Sequence, residues 1–404
     1  MKKLTFLFAM VFAVSMAMAQ SNESTINVSG SSNSADVEQV GEDNINLLNQ
    51  SSNNVFELTQ TGDDNYSDLR QAATGENTAY VDQLGDRNRL TRAGRALQGS
   101  GNLLDLNQTG DDNITRLYQD SRNQFAYIDQ VGNSNEVQVN QDSKGNTADI
   151  DQTGNWNFTN VLQDNGLTAN TAVSNVSGYG NGNGTTGDKW LDIKQLGSNN
   201  WASTTITGDE NDADIYQTGD DNYAKYNVTG SFNTMNATQN GFDNDVIIDQ
   251  DWVTLTNNNN NIAVTQTNNS SSGAGNRAYL RMTGSDNDLN FTQNGSWNQI
   301  GGKTMFPDLA PGSVATSDML NYKGDGSTID IVQSGNQNLV KSEMNNDDGD
   351  IDITQSGNVN ITELLINAGG MGFGNDADIS QLSNFNTSTN NVVGNDNSIV
   401  VVQN

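Results

Sequence analysis

The sequence predicts an all-β protein: a β-solenoid of stacked two-strand coils with about 22 residues per coil. Three observations predict it. Apolar and polar residues alternate strictly over short stretches. Most of these stretches close on a Gln-x-Gly-x-x-Asn turn. The copies also keep a fixed spacing, with Gln108, Gln130 and Gln152 stepping by 22 and Gln119, Gln141 and Gln163 lying halfway between.

The clearest copy is 146–157, NTADIDQTGNWN. Two-residue alternation places Asn146, Ala148, Ile150 and Gln152 on one face of a strand and Thr147, Asp149 and Asp151 on the other. Gly154 falls where the chain must reverse, and glycine tolerates the positive φ of tight turns. Asn followed six residues later by Gln occurs seventeen times, and the Gln-x-Gly-x-x-Asn turn twelve times. A single unit cannot bury its apolar face, so the copies must stack.

If two halves make one coil, the inward face of each strand carries Asn, a small residue, an aliphatic residue and Gln. Ala35, Ala79, Ala148, Ala213 and Ala377 hold the small slot. Val37, Val81, Ile150, Ile215 and Ile379 hold the aliphatic one. Stacking at about 4.8 Å sets each residue on its equivalent and turns the amides into ladders. The expected ladder amides are Asn44, Gln60, Asn65, Gln83, Asn102, Gln108, Asn113, Gln130, Asn146, Gln152, Gln195, Asn211, Gln217, Gln239, Gln293, Gln333, Gln355, Gln381 and Gln403. The expected turn glycines are Gly62, Gly85, Gly110, Gly132, Gly154, Gly197, Gly219 and Gly241. About seventeen coils would make a stack roughly 80 Å long.

This pattern resembles the curlin repeats of curli fibre subunits. The likeness covers residues 33–404, with more repeats than the usual handful and several insertions. It implies an extracellular functional amyloid of the bacterial biofilm matrix. It also implies copies of the chain itself, a curli-type secretion channel and a nucleator subunit as partners.

Hydrophobic residues make up 33% of the chain, and the formal net charge is −31. Such a composition can signal disorder. Disorder, however, needs no apolar residue at alternate positions. The acidity excludes ordinary nucleic-acid binding, which needs a basic surface. It keeps unassembled chains apart. The sequence has no Cys and no His, so disulfides, imidazole catalysis and His-ligated metals are excluded.

Taken in order, Lys2 and Lys3 precede the apolar run 4–19, which ends Ala17-Met18-Ala19. This reads as a signal peptide, residues 1–19, cut after Ala19; the competing reading is a retained anchor. No later stretch reads as an integral membrane segment. Residues 20–32 form a short leader, in which Ile26 and Val28 already alternate. Repeats fill 33–404, with loop insertions expected near 171–189, 251–275, 299–326 and 367–374. The third of these holds the only prolines, Pro307 and Pro311. Proline cannot donate to a ladder, so its confinement there supports strands elsewhere.

No constellation suited to catalysis stands out, and no cofactor is expected. The pairs Asp63-Asp64, Asp111-Asp112 and Asp220-Asp221 recur in one turn type and read as solvated acids. A glycosidase would need one distinctive pair in a cleft. Calcium is the sharper alternative, but the Gly-Gly-x-Gly-x-Asp nonapeptide is absent. Arg87, Arg89, Arg92 and Arg95 form a basic cluster that either offsets local acid or docks an acidic surface. Trp156 and Trp297 share one turn slot and serve either contacts between fibres or packing on adjacent turns.

The last strand, 398–403, sets Ile399, Val401 and Gln403 inward and Val400 and Val402 outward. It is apolar on both faces, so Ile399, Val400, Val401 and Val402 are the expected assembly edge. The expectation is a secreted, non-enzymatic structural subunit that polymerises end to end. The alternatives are a non-polymerising surface adhesin on the same solenoid and a minor nucleator of the fibre.

Overall fold

The structure, a computed structural model, describes residues 21–71, 76–97, 99–164, 168–182, 191–249, 259–268, 275–301, 320–345, 348–367 and 374–404. The expected signal peptide, Pro307, Pro311 and part of each expected insertion lie outside the described residues.

The described residues hold 32 strands and no helix. The strands alternate between two 16-stranded parallel sheets. The first sheet runs from Glu23–Val28 through Ile45–Gln50 and Tyr66–Gln71 to Ser398–Gln403. The second runs from Ser34–Val40 through Val55–Thr61 and Thr78–Leu84 to Thr387–Val393. Parallel neighbours need a crossover between them. Here the crossover is the strand of the opposite sheet, so each coil is strand, turn, strand, turn.

Alternation and register together build the core. In the second sheet Ala126, Ala148, Ala172, Ala202 and Ala224 pair rung on rung, all fully buried. In the first sheet Val139, Val161, Ile193, Ile215 and Ala237 form a facing column. Small residues opposite larger ones leave a thin core between the sheets. Insertions do not disturb the stack. Ladder partners lie 22 residues apart at Gln108 and Gln130, 32 apart at Gln163 and Gln195, and 40 apart at Gln293 and Gln333.

Several expected boundaries shift. Residues 171–179, expected within an insertion, form the strand Thr171–Tyr179. Its Gln slot holds Val176, so the motif is missing while the alternation survives. Asn261–Asn268, inside the expected insertion 251–275, is also a full strand. The stretch 299–326 is not one continuous loop. Gln299–Ile300 and Leu320–Lys323 both lie between Arg277–Thr283 and Leu339–Asn345, as two pieces of one rung. Residues 23–28 of the expected leader form the strand Glu23–Val28, paired in register with Ile45–Gln50. Ala35 is exposed and Val37 only half-buried, because their rung is covered on one side only.

Candidate functional site

The candidate site is the pair of polar ladders that run along the stack, together with the two outermost rungs on which they open. In the second sheet Gln39, Gln60, Gln83, Gln108, Gln130 and Gln152 stack with Nε2 to Oε1 distances of 2.8 to 3.0 Å. In the first sheet Gln195, Gln217, Gln239, Gln293, Gln333, Gln355, Gln381 and Gln403 belong to one ladder that begins at Gln119. Where a glutamine occupies the following rung, each Nε2 donates to its Oε1 and also to a main-chain carbonyl of the opposite strand. Gln60, for example, reaches both Gln83 and Ile45 O. Both amide hydrogens are thereby used, as a buried amide requires.

The asparagines run the other way. Asn65 donates its main-chain N and its Nδ2 to Asn44 Oδ1 of the preceding rung, both at 3.0 Å, and Nδ2 also to Gly85 O at 2.7 Å. Asn113 and Asn211 repeat this on Asn88 and Asn181. Asn102 and Asn146, at the other set of turns, accept the main-chain N of Gln124 and Asn170. Their side-chain amides go to turn carbonyls instead, at Ser121 and Asp142.

The turns are ladders too. Gly62, Gly85, Gly110, Gly132 and Gly154 lie at the ends of second-sheet strands, and Gly197, Gly219 and Gly241 at the ends of first-sheet strands. All have φ between +104° and +117°. A Cβ at any of them would run into the main chain of the next turn, Gly62 into Gly85 O and Gly132 into Gly154 O. One sequence expectation is corrected here. The first aspartate of each turn pair is not merely solvated: Asp63 Oδ1 accepts Glu42 N at 2.8 Å, Asp111 accepts Asp86 N and Asp220 accepts Ser198 N. The second, Asp64, Asp112 or Asp221, sits at φ +59°. That left-handed conformation suits Asp and Asn.

Sequence reasoning placed Trp156 and Trp297 in one turn slot but missed that this slot is left-handed and also holds Phe232, Val359 and Phe385. Trp156, Phe232 and Phe385 are exposed there. It also missed that the second-sheet glutamine ladder ends at Gln152. The same slot continues as Val176, Ile206 and Val228, then Met282, Tyr322, Met344, Ile366 and Val392. The absence of Gln at those positions was the available signal. Where a ladder is interrupted, an acceptor is orphaned. Gln119 Oε1 lacks a partner because Leu97 precedes it, and Gln50 Oε1 because Val28 does.

In the basic cluster, Arg87 pairs with Asp112 of the next coil at 2.7 Å, which holds the Asp112 carboxyl below its usual range. Arg89, Arg92 and Arg95 lie in Arg89–Leu97, whose register shifts between Arg92 and Leu97. On the outer face of the second sheet, Trp201 stacks on Tyr223 with ring centroids 4.4 Å apart. Beyond Tyr223 comes Asp245, buried beside Arg277. Burial, opposed by Arg277 and aided by Asp243, pushes Asp245 up to about 7. Burial, then Asp212, pushes Asp214 up to about 7, opposed by the hydrogen bond that Asp192 N donates to its Oδ1. Among the described residues, no group of three or more acidic side chains could hold a metal ion, and no helix is long and apolar enough to cross a membrane.

Among the described residues, the ladders are open at the outermost rungs. Ser398–Gln403 pairs with Asp376–Gln381 on one side only. Ile399 and Val401 are half-buried against the core, while Val400 and Val402 are 67% and 57% exposed. At the other end Glu23–Val28 is exposed throughout, with Ile26 at 41% and Val28 at 52%.

Comparison with known families finds the Curlin associated repeat at residues 191–219 and 208–251. These residues span strands from Leu191–Leu196 to Asp245–Asp249. No curated protein matches the chain.

Proposed function

From a chain that carries the Curlin associated repeat on two open parallel sheets, we propose a structural subunit that assembles end to end into curli-like fibres of an extracellular matrix. The observation that carries this reading is the pair of uncovered outermost rungs. Each presents unpaired strand edges and exposed aliphatic side chains, and soluble proteins blunt such edges with charge, proline or a covering element. A second copy supplies the missing rung through main-chain hydrogen bonds and continued ladders. The chain is secreted, with residues 1–19 removed, and it works as material rather than as a catalyst. A secretion channel and a nucleator are its further partners.

Electron microscopy of the purified chain lacking residues 1–19 tests the reading. Incubation should yield unbranched fibres with a 4.8 Å meridional reflection, close to the inter-strand spacing. A chain that stays monomeric at high concentration, with its strand content intact, favours a surface adhesin instead.

A further inference from the structure

We propose that successive copies in the fibre are related by a half-turn about the fibre axis. The first sheet of one copy then continues into the second sheet of the next. This rests on the end-to-end assembly proposed above and specifies its joint.

The outermost coils are alike in sequence. Residues 22–40, NESTINVSGSSNSADVEQV, and 386–404, NTSTNNVVGNDNSIVVVQN, agree at ten of nineteen positions. Yet the fold puts the matching strands in opposite sheets. Glu23–Val28 lies in the first sheet and its counterpart Thr387–Val393 in the second. Ser34–Val40 lies in the second and its counterpart Ser398–Gln403 in the first. Like therefore meets like at a joint only if the incoming copy is turned by half a revolution.

The inward columns show what each arrangement does. After a half-turn, Gln39 of the incoming copy stacks on Gln403, Val37 on Val401 and Val28 on Val392. Without it, Val28 stacks on Gln403 and Gln39 on Val392, so each ladder amide faces an aliphatic chain. Donor direction agrees with the half-turn. Gln381 Nε2 donates to Gln403 Oε1 at 2.7 Å, and Gln39 Nε2 donates to Gln60 Oε1 at 2.8 Å. Gln403 uses one amide hydrogen on Thr387 O. The other is free to reach the Oε1 of a following glutamine, as in Gln355 to Gln381 and Gln381 to Gln403, and Gln39 offers that oxygen. The aliphatic column ending at Ile366 and Val392 likewise runs on into Val28.

The rung count agrees. Among the described residues both outermost strands belong to the first sheet, which has sixteen rungs, while the path of the second has fifteen. Stacking like sheet on like sheet would leave the second sheet one strand short at every joint. A half-turn closes both sheets, and two copies then repeat along the axis every 150 Å or so, about 31 rungs at 4.8 Å.

The chain has no cysteine, so introduced pairs report cleanly. Outward, exposed positions avoid the core: Glu38, Asn27 and Val402. The double variant Glu38→Cys, Val402→Cys places the thiols one rung apart under the half-turn, within disulfide reach. Asn27→Cys, Val402→Cys does so only for like-on-like stacking. Fibres grown reduced, then oxidised and run on a non-reducing gel, should give a ladder of multimers for the first pair. They should give monomers for the second pair and for Val402→Cys alone. Multimers from the second pair or from the single variant, or monomers from the first pair, overturn the half-turn. Fibres formed in any of these cases leave the end-to-end reading standing; absence of fibres from the parent chain removes that reading first. If a cysteine variant does not assemble, helical reconstruction of the parent fibre decides. A half-turn per copy of about 74 Å supports the proposal, and copies superposed by translation without it overturn it.

Discussion

A single ladder glutamine holds more than its own hydrogen bond. Gln217 accepts from Gln195 and donates to Gln239 and to Trp201 O, all within 3.0 Å and out of water. Gln217→Ala strands at least two buried partners, and each costs about 1–3 kcal/mol. Thermal unfolding and thioflavin kinetics should therefore show a loss of about 3 kcal/mol and slowed assembly. Gln130→Ala should behave alike, whereas Asp64→Ala, at an exposed turn position, should cost under about 1 kcal/mol. Equal effects from the two classes would contradict the ladder's role. The left-handed slot gives a test of opposite sign. Val359 holds φ +61°, which is costly for a β-branched residue. Val359→Asn should raise stability by about 1 kcal/mol, read as an increased denaturation midpoint.

The element that recurs is the turn, and its glycine is required twice. Gly132 has φ +115°, and its missing Cβ is the space taken by Gly154 O of the next coil. Gly132→Ala meets both obstacles, and we expect a loss above about 2 kcal/mol. The turn thus sets the coil's pitch: the chain can reverse only where successive main chains touch. Sequence can be added between turns, as the 40-residue separation of Gln293 and Gln333 shows, provided the chain returns to its slot.

At the scale of the whole molecule, parallel in-register stacking sets like residues on one another, charges included. Asp105, Asp149, Asp151 and Asp352 are all pushed above the usual carboxylate range, first by burial and then by neighbouring aspartates. Asp214 and Asp245 reach about 7. A carboxyl whose folded pKa is raised contributes stability that is fully present below its unfolded value near 4 and is lost as pH rises toward 7. The solenoid should therefore melt at a higher temperature at pH 5 than at pH 8, and Asp214→Asn should flatten that slope. A melting temperature that rises with pH over this window would contradict the assignment. The Asp112 carboxyl, held low by Arg87, has the opposite sign, but its effect falls below this window. The open edge belongs to this scale as well. Replacing Val400 and Val402 with Lys should reduce elongation from preformed seeds while leaving the monomer's circular dichroism nearly unchanged. Elongation at the parent rate would mean that this edge is not a growth surface.

Much of this was legible in the chain alone. Alternation and the Gln-x-Gly turn are local, since a side chain's face is decided by its immediate neighbours and a turn by one residue's φ. Hence strand positions, the inward slots of Ala148, Ile150 and Gln152, and the turn glycines follow from sequence. What the tertiary structure decided is which residue lies one coil away. Sequence separation between stacked partners varies from 21 residues at Gln39 and Gln60 to 40 at Gln293 and Gln333, so no fixed period identifies them. The structure alone assigned the glutamines from Gln195 onward to the first-sheet ladder and showed the second giving way to apolar residues after Gln152. It alone made rungs of Thr171–Tyr179 and of the split pair Gln299–Ile300 and Leu320–Lys323. It also turned Asp63 from a solvated acid into a main-chain acceptor. The physical reason is common to all of them. A residue's partners above and below are brought to it by the coil, and the chain reaches them only after a full circuit whose length its own sequence does not constrain.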